Sequence, residues 1–359
     1  MGPAAVVAAA PYGLAAYFVL FGLSIYSNAL EHRTGIQDFY QLMAEVEKED
    51  FRNYLLANPN EESLYFVSLC SQALYLTAQR FPQLKAQIVP KLAAYANWVV
   101  DARRFSEWRM AGQWNESVFF LAHAGIVLGH YQELSKDERH ASPWRKVAEF
   151  LGRAIPNSPF KNLESRRGEE VYRPADNAAA LYALQLYDRY YATEWSTVAA
   201  KNWLDYQGRE LRFDESRLPC SAFSTTNTCK LDPTASALGM MVGYLAAAQD
   251  QAQPQYYSEW KHYFNVRWAL LFSPNVRSGM RGKADPRFCD LAAYPLGCEN
   301  NLNALGMWLA AANGGHYNYA RFLGQRMLRG SEPIKPLRPQ RRCLALTDLC
   351  LRVMAQMQP

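Results

Sequence analysis

Five stretches place a carboxylate, usually with an amide or hydroxyl, immediately ahead of a long apolar run rich in small residues. They begin at Asn60-Glu61-Glu62-Ser63, Asn115-Glu116-Ser117, Ala175-Asp176-Asn177, Leu231-Asp232-Pro233 and Glu299-Asn300-Asn301. A carboxylate that can exchange a proton, set near a histidine and a second carboxylate across a cavity, is the equipment of acid–base catalysis. His123 follows Glu116 by seven residues, two turns of a helix, so both side chains are expected on one face. Glu116, His123 and Asp176 are therefore the candidate catalytic set. Trp114, Tyr172, Arg173, Asn177, Asp232, Glu299 and Asn300, near the same run starts, are the candidate substrate contacts, with Asn115 and Asn303 as further site candidates.

Each residue also has a plainer reading. Asp176 and Asp232 suit a helix N-cap, and Glu116 suits a first helical turn, where the helix dipole favours negative charge. His123 lies among Phe119, Phe120 and Leu121 and fits a satisfied core histidine. Tyr172 and Trp114 fit packing roles. Recurrence at equivalent positions raises the set above these readings.

The elements that must position such residues follow from the spacing. From Glu62 through Glu116, Asp176 and Asp232 to Glu299 the steps are 54, 60, 56 and 67 residues. Each step holds two helices and two loops, a helical hairpin. Apolar helices are expected over 64–79, 117–131, 178–188, 233–248 and 302–313, with a closing helix at 344–357. Amphipathic partners are expected over 36–56, 84–104, 143–154, 194–206, 254–272 and 317–328. A helix that is apolar all round is walled in on every side. Twelve alternating helices without strand-type alternation predict an all-α (α/α)6 toroid over 31–359. Solenoid repeats are shorter and more uniform. In a ring the apolar helices run parallel, so their starts meet around one hollow.

The chain has 359 residues, half of them apolar, and a formal charge of +5 spread without long basic runs, which is no nucleic-acid footprint. The 22 Tyr and 9 Trp exceed what a core needs, and cavity walls are one use for them. From Pro3 to Ala29 no side chain is charged, long enough for a bilayer span. Residues 1–30 are read as an uncleaved single-pass inner-membrane anchor. Ser27-Asn28-Ala29 would also suit a signal peptidase. The main domain is then periplasmic or extracellular.

Cysteines agree with an oxidising compartment. Cys220 and Cys229, Cys289 and Cys298, and Cys343 and Cys350 form three short-range pairs read as disulfides, with Cys70 left as a buried thiol. No ligand spacing for a metal, phosphate-binding glycine loop, dinucleotide fingerprint or nucleophile elbow is present, so no metal or cofactor is expected.

Arg173-Pro-Ala-Asp-Asn177, the run to Tyr187-Asp188-Arg189, and Asn202-Trp-Leu-Asp-Tyr206 together resemble a region of the linalool dehydratase-isomerase family. The likeness extends through 237–248, 256–264 and 303–311, and His123 falls where that family has a site histidine. The resemblance implies an (α/α)6 toroid and cofactor-free lyase or isomerase chemistry. The family's site cysteine in this block is replaced, with Asp176 as the nearest match. Related toroids process glycans. The sequence reading is thus an anchored enzyme for a hydroxylated terpenoid or glycan, acting as lyase, isomerase or hydrolase. The alternative is a non-catalytic scaffold or glycan-binding subunit of an envelope complex, or a homo-oligomer.

Overall fold

A computed structural model describes residues 35–213, 216, 218–248, 253–267, 274–276, 299–316, 318–320, 322–323 and 339–358. The proposed anchor and the Cys289/Cys298 pair lie outside these residues. Among the described residues no helix is long and apolar enough to cross a membrane.

The chain is predominantly helical. Helix α1 covers 35–47 and is followed by α2 (Glu49–Ala57), α3 (Glu61–Arg80), α4 (Lys85–Val99), α5 (Val118–Ser135) and α6 (Ala141–Asn157). Next come α7 (Pro174–Tyr191), α8 (Trp195–Glu210), α9 (Ala235–Ala247), α10 (Gln253–Phe264) and α11 (Glu299–Ala312). A helix α12 is described at 318–320 and 322–323, and α13 is Pro339–Met357.

Odd-numbered helices from α3 onward are the apolar ones, and local signals start and stop them. Asn60 caps α3 by accepting from Ser63 N at 2.9 Å, and Glu61 and Glu62 fill its first turn. Pro174 opens α7 at the position where its missing N–H costs nothing. Thr234 caps α9, its hydroxyl accepting from Ala237 N. In α5 every residue from Val118 to Gln132 is buried, as expected for a helix enclosed all round. The even helices are one-sided. In α6 Trp144, Val147, Ala148, Leu151 and Ile155 are buried, the spacing of a single helical stripe.

Packing among the apolar helices is cyclic. Helix α3 packs on α5, α5 on α7, α7 on α9, α9 on α11, α11 on α13, and α13 back on α3. Contacts join residues at similar depth along their helices. Ser68 of α3 meets His123 of α5, Tyr182 of α7 stacks near Tyr244 of α9, and Arg80 at the end of α3 reaches Gln356 near the end of α13. The apolar helices therefore run parallel. Close approach depends on missing side chains. A Cβ on Gly243 of α9 would overlap the Trp308 ring of α11.

Several expectations need correction. The helix read at 84–104 stops at Val99, and two 3-10 turns, Ser106–Arg109 and Ala111–Glu116, fill the way to α5. The helix read at 254–272 ends at Phe264. Short strands exist: β1 (Val171–Tyr172), β2 (Ala222–Ser224) and β3 (Cys229–Leu231) form an antiparallel sheet in that order, and β4 (Asn265–Arg267) pairs with β5 (Pro274–Val276). They are too brief to show a period in sequence. Asp176 and Asn177 do not cap α7; Arg173 holds the cap position and both lie inside the first turn.

The Cys220–Cys229 disulfide is formed, with Cα atoms 5.8 Å apart beside the β2–β3 hairpin. Cys343 and Cys350 are free and buried. Both lie on α13, where seven residues of rise separate them by about 10.5 Å, beyond a disulfide's reach.

Candidate active site

The starts of α3, α5 and α7 share a polar mouth. Glu61, in the first turn of α3, pairs with Arg166 at 2.6 Å. Arg166 also meets Glu169 at 3.4 Å, and Glu169 pairs with Arg173 at 2.6 Å. Burial raises the Glu61 carboxyl above its usual range, and Arg166 opposes that shift. The segment carrying these arginines is tied down by its backbone: Val118 N donates to Glu164 O at 3.1 Å and Phe119 N to Ser165 O at 3.2 Å. Asn177 completes the clamp, accepting from Leu163 N at 2.9 Å and donating to Leu163 O at 3.1 Å. Beside the mouth a cleft of about 350 Å³ is lined by Glu61, Ser165, Arg166, Phe119, Glu107 and Gln113 among others.

Beneath the mouth four neighbouring apolar helices contribute to one buried polar cluster: Tyr65 from α3, His123 from α5, Asp176 from α7 and Tyr244 from α9. All four are 1% exposed or less. The ring of His123 lies 5.4 Å from that of Tyr65 and 6.1 Å from that of Tyr244. Burial pushes both phenols well above their usual range, and the Asp176 charge adds to the rise in each. Asp176 is thus electrostatically in touch with α3 and α9. His123 is pushed down to about 3, first by burial and then by the Arg166 charge. Its imidazole is neutral across the physiological range. His123 Nδ1 lies 2.9 Å from Ser68 Oγ. Among the described residues, His123 Nε2 and the Tyr244 hydroxyl have no hydrogen-bond partner. Leaving such a buried group unpaired costs about 1–3 kcal/mol.

Deeper along the same helices a second histidine has both ring nitrogens engaged. His130 is 2.9 Å from Ser71 Oγ through Nδ1 and 2.9 Å from the Tyr182 hydroxyl through Nε2. Tyr75 stacks on it at 4.7 Å. Arg189 donates to the Tyr75 hydroxyl at 3.0 Å and grips Glu133 with two bonds of 2.6 and 2.7 Å.

Of the residues expected from sequence, His123 and Asp176 both bear on Tyr65 and Tyr244, His123 through ring contacts and Asp176 through its charge. Glu116 lies apart. It ends a 3-10 turn, and Ser117 breaks the path into α5 with φ −146° and ψ 33°. The shared helical face assumed for Glu116 and His123 therefore does not exist, and the Glu116 charge bears on Glu164 instead. Trp114 is buried, donating to Glu107 O at 2.8 Å and packing edge-on against Trp108 and Phe150. Tyr172 sits in β1 between Phe160 and Phe223. Arg173 belongs to the mouth through Glu169, and Asn177 serves the clamp. Asp232 is exposed before the α9 cap. Glu299 and Asn300 open α11, with side chains outside the described residues. Asn303 accepts from Val276 N at 3.1 Å.

Tyr65, Ser68 and Tyr244 escaped the sequence reading, although a signal existed. They are polar residues inside otherwise apolar helices, and His130 repeats His123 two turns on. Among the described residues no group of three His, Cys, Asp or Glu side chains is arranged to hold a metal ion. No family model matches the chain, and no curated protein matches it.

Proposed function

We propose that the six apolar helices form the inner ring of an (α/α)6 toroid held outside the cytoplasm by an inner-membrane anchor at 1–30, and that its axis carries an acid–base site. The observation that supports this most is the convergence of Asp176, His123, Tyr65 and Tyr244 from four helices, with His123 Nε2 left unpaired in a water-poor interior.

Asp176 exchanges the proton. His123 stays neutral and orients the substrate: when the Ser68 hydroxyl donates to Nδ1, Nε2 carries the hydrogen and donates to a substrate oxygen. The phenols of Tyr65 and Tyr244 hold their protons and donate to charge developing on oxygen. Glu61, Arg166 and Arg173 form the entrance, with Phe119 and Arg166 between the cleft and His123. This equipment suits water elimination, isomerisation or hydrolysis of a hydroxylated substrate, a terpenoid-like alcohol or a glycan. The resemblance to the linalool dehydratase-isomerase family agrees with that chemistry, and the Cys220–Cys229 bond agrees with an oxidising compartment.

Purified full-length protein incubated with oligosaccharides, polyols and terpenoid alcohols, followed by chromatography and mass spectrometry, tests the proposal. One class should be consumed without redox change, and His123→Gln should slow consumption at least a hundredfold. No consumption, or unchanged rates in His123→Gln, would oppose it. The second reading, a scaffold, draws on the aromatic filling of the axis, where Tyr65, Tyr182 and Tyr244 are 3% exposed or less. It predicts no turnover, with a loss of stability from the same substitution.

A further inference from the structure

The end of the inner helices opposite the mouth is where the described chain begins. A Cβ on Gly35 would sit 3.2 Å from Gln356 Cβ and 3.3 Å from Met357 Cε, both in the last turn of α13. Gln356 donates to Asp38 at 2.8 Å. Arg80, the last residue of α3, donates to Gln356 O at 2.7 Å and Gln358 O at 2.8 Å. Residue 35 is therefore fixed at the C-terminal ends of the inner helices.

The same end carries half-exposed phenols with cations over them. Exposed Lys136, just past α5, lies 4.7 Å from the Tyr190 ring centre. Exposed Arg145, near the start of the returning α6, lies 6.0 Å from that of Tyr191. The two tyrosine rings, at the end of α7, are 4.8 Å apart. Tyrosines with an apolar body and a wet tip, flanked by basic groups, are the composition of surfaces at bilayer headgroups. Glu133, Asp137 and Glu138 lie nearby, so charge of one sign does not dominate this face.

The length of the tether decides the orientation. Four residues, 31–34, separate the anchor read at 1–30 from Gly35. Fully extended, the span from residue 30 to Gly35 reaches at most about 18 Å. The 18 residues of α7 alone span about 27 Å. The tether cannot pass from the mouth to Gly35.

We propose that the face made by the C-terminal ends of the inner helices rests on the bilayer, with Tyr190, Tyr191, Lys136 and Arg145 at the headgroups and the Glu61–Arg166 mouth turned to water. This rests on the anchor reading given above. It narrows the substrate class: a mouth on the far side, about 21 Å from Tyr190 by the rise from Asp176 along α7, takes a water-borne polyhydroxylated substrate such as a glycan. A terpenoid dissolved in the membrane would meet the opposite end.

The test uses the full chain in phosphatidylcholine vesicles carrying a headgroup nitroxide, with a fluorophore on Glu138→Cys or on Gly112→Cys. Glu138 is exposed beside Lys136, and a Cβ at Gly112, near the mouth, meets nothing within 4 Å. Quenching at 138 should exceed that at 112 at least threefold. Equal quenching, or more at 112, overturns the orientation while leaving the anchor intact. Protein that does not associate with vesicles at all overturns the anchor reading and this inference together.

Discussion

At the residue scale, two buried histidines make the protein acid-sensitive. His123 is pushed down to about 3 and His130 is also held well below its usual range, both chiefly by burial, with Arg166 and Arg189 as the nearby cations. An unfolded chain takes up a proton at each histidine below about pH 6.5 while the folded chain does not. Folded stability is therefore full above that pH and falls as the pH drops toward the folded values. At pH 5 the loss is about 2 kcal/mol for His123, and His130 adds to it in the same direction. Denaturant midpoints between pH 7.5 and 5 check this, and His130→Gln should reduce the slope by roughly one proton. A midpoint indifferent to pH over that interval would contradict the burial of both rings. The two differ in their partners: His130 has both ring nitrogens engaged, whereas His123 has Nε2 unpaired.

Elements turn these residues toward one another, and their spacing depends on small residues between apolar helices. Gly243 lets α9 meet the Trp308 ring of α11. Gly243→Ala forces that ring or the helix to shift, and overpacking of this kind costs about 1–3 kcal/mol. A lowered melting temperature with unchanged helical content is the expected result, and an unchanged one would mean the α9–α11 contact is looser than described. The helices were legible because burial on all sides writes itself as apolarity on all faces, as in 118–132. The ends were less so. Asp176 and Asn177 look like caps, but Pro174 starts the helix earlier and carries both inside. Ser117 has nothing in its side chain to announce the break that separates Glu116 from His123. The cluster partners Tyr65 and Tyr244 were hidden because a tyrosine in an apolar run reads as packing until its neighbours across helices are known.

At the scale of the whole molecule, the return of α13 to α3 makes the first and last inner helices neighbours. Arg342 of α13 also binds Asp50 of α2 at 2.7 Å. The cyclic packing gives each of these helices a neighbour on both sides, and the starts of α3, α5 and α7 share the Glu61–Arg166–Glu169–Arg173 mouth. Along these helices the Tyr65–His123–Tyr244 cluster lies nearer the mouth and the Tyr75–His130–Arg189 layer nearer the opposite end. The account turns on Asp176 being held there for chemistry instead of for folding. Turnover and thermal unfolding of Asp176→Asn, measured side by side on the same preparation, test this most directly. Loss of turnover by at least a hundredfold with stability within about 1 kcal/mol of the parent is the predicted result. A protein that unfolds on this change, or one that keeps its rate, would contradict it.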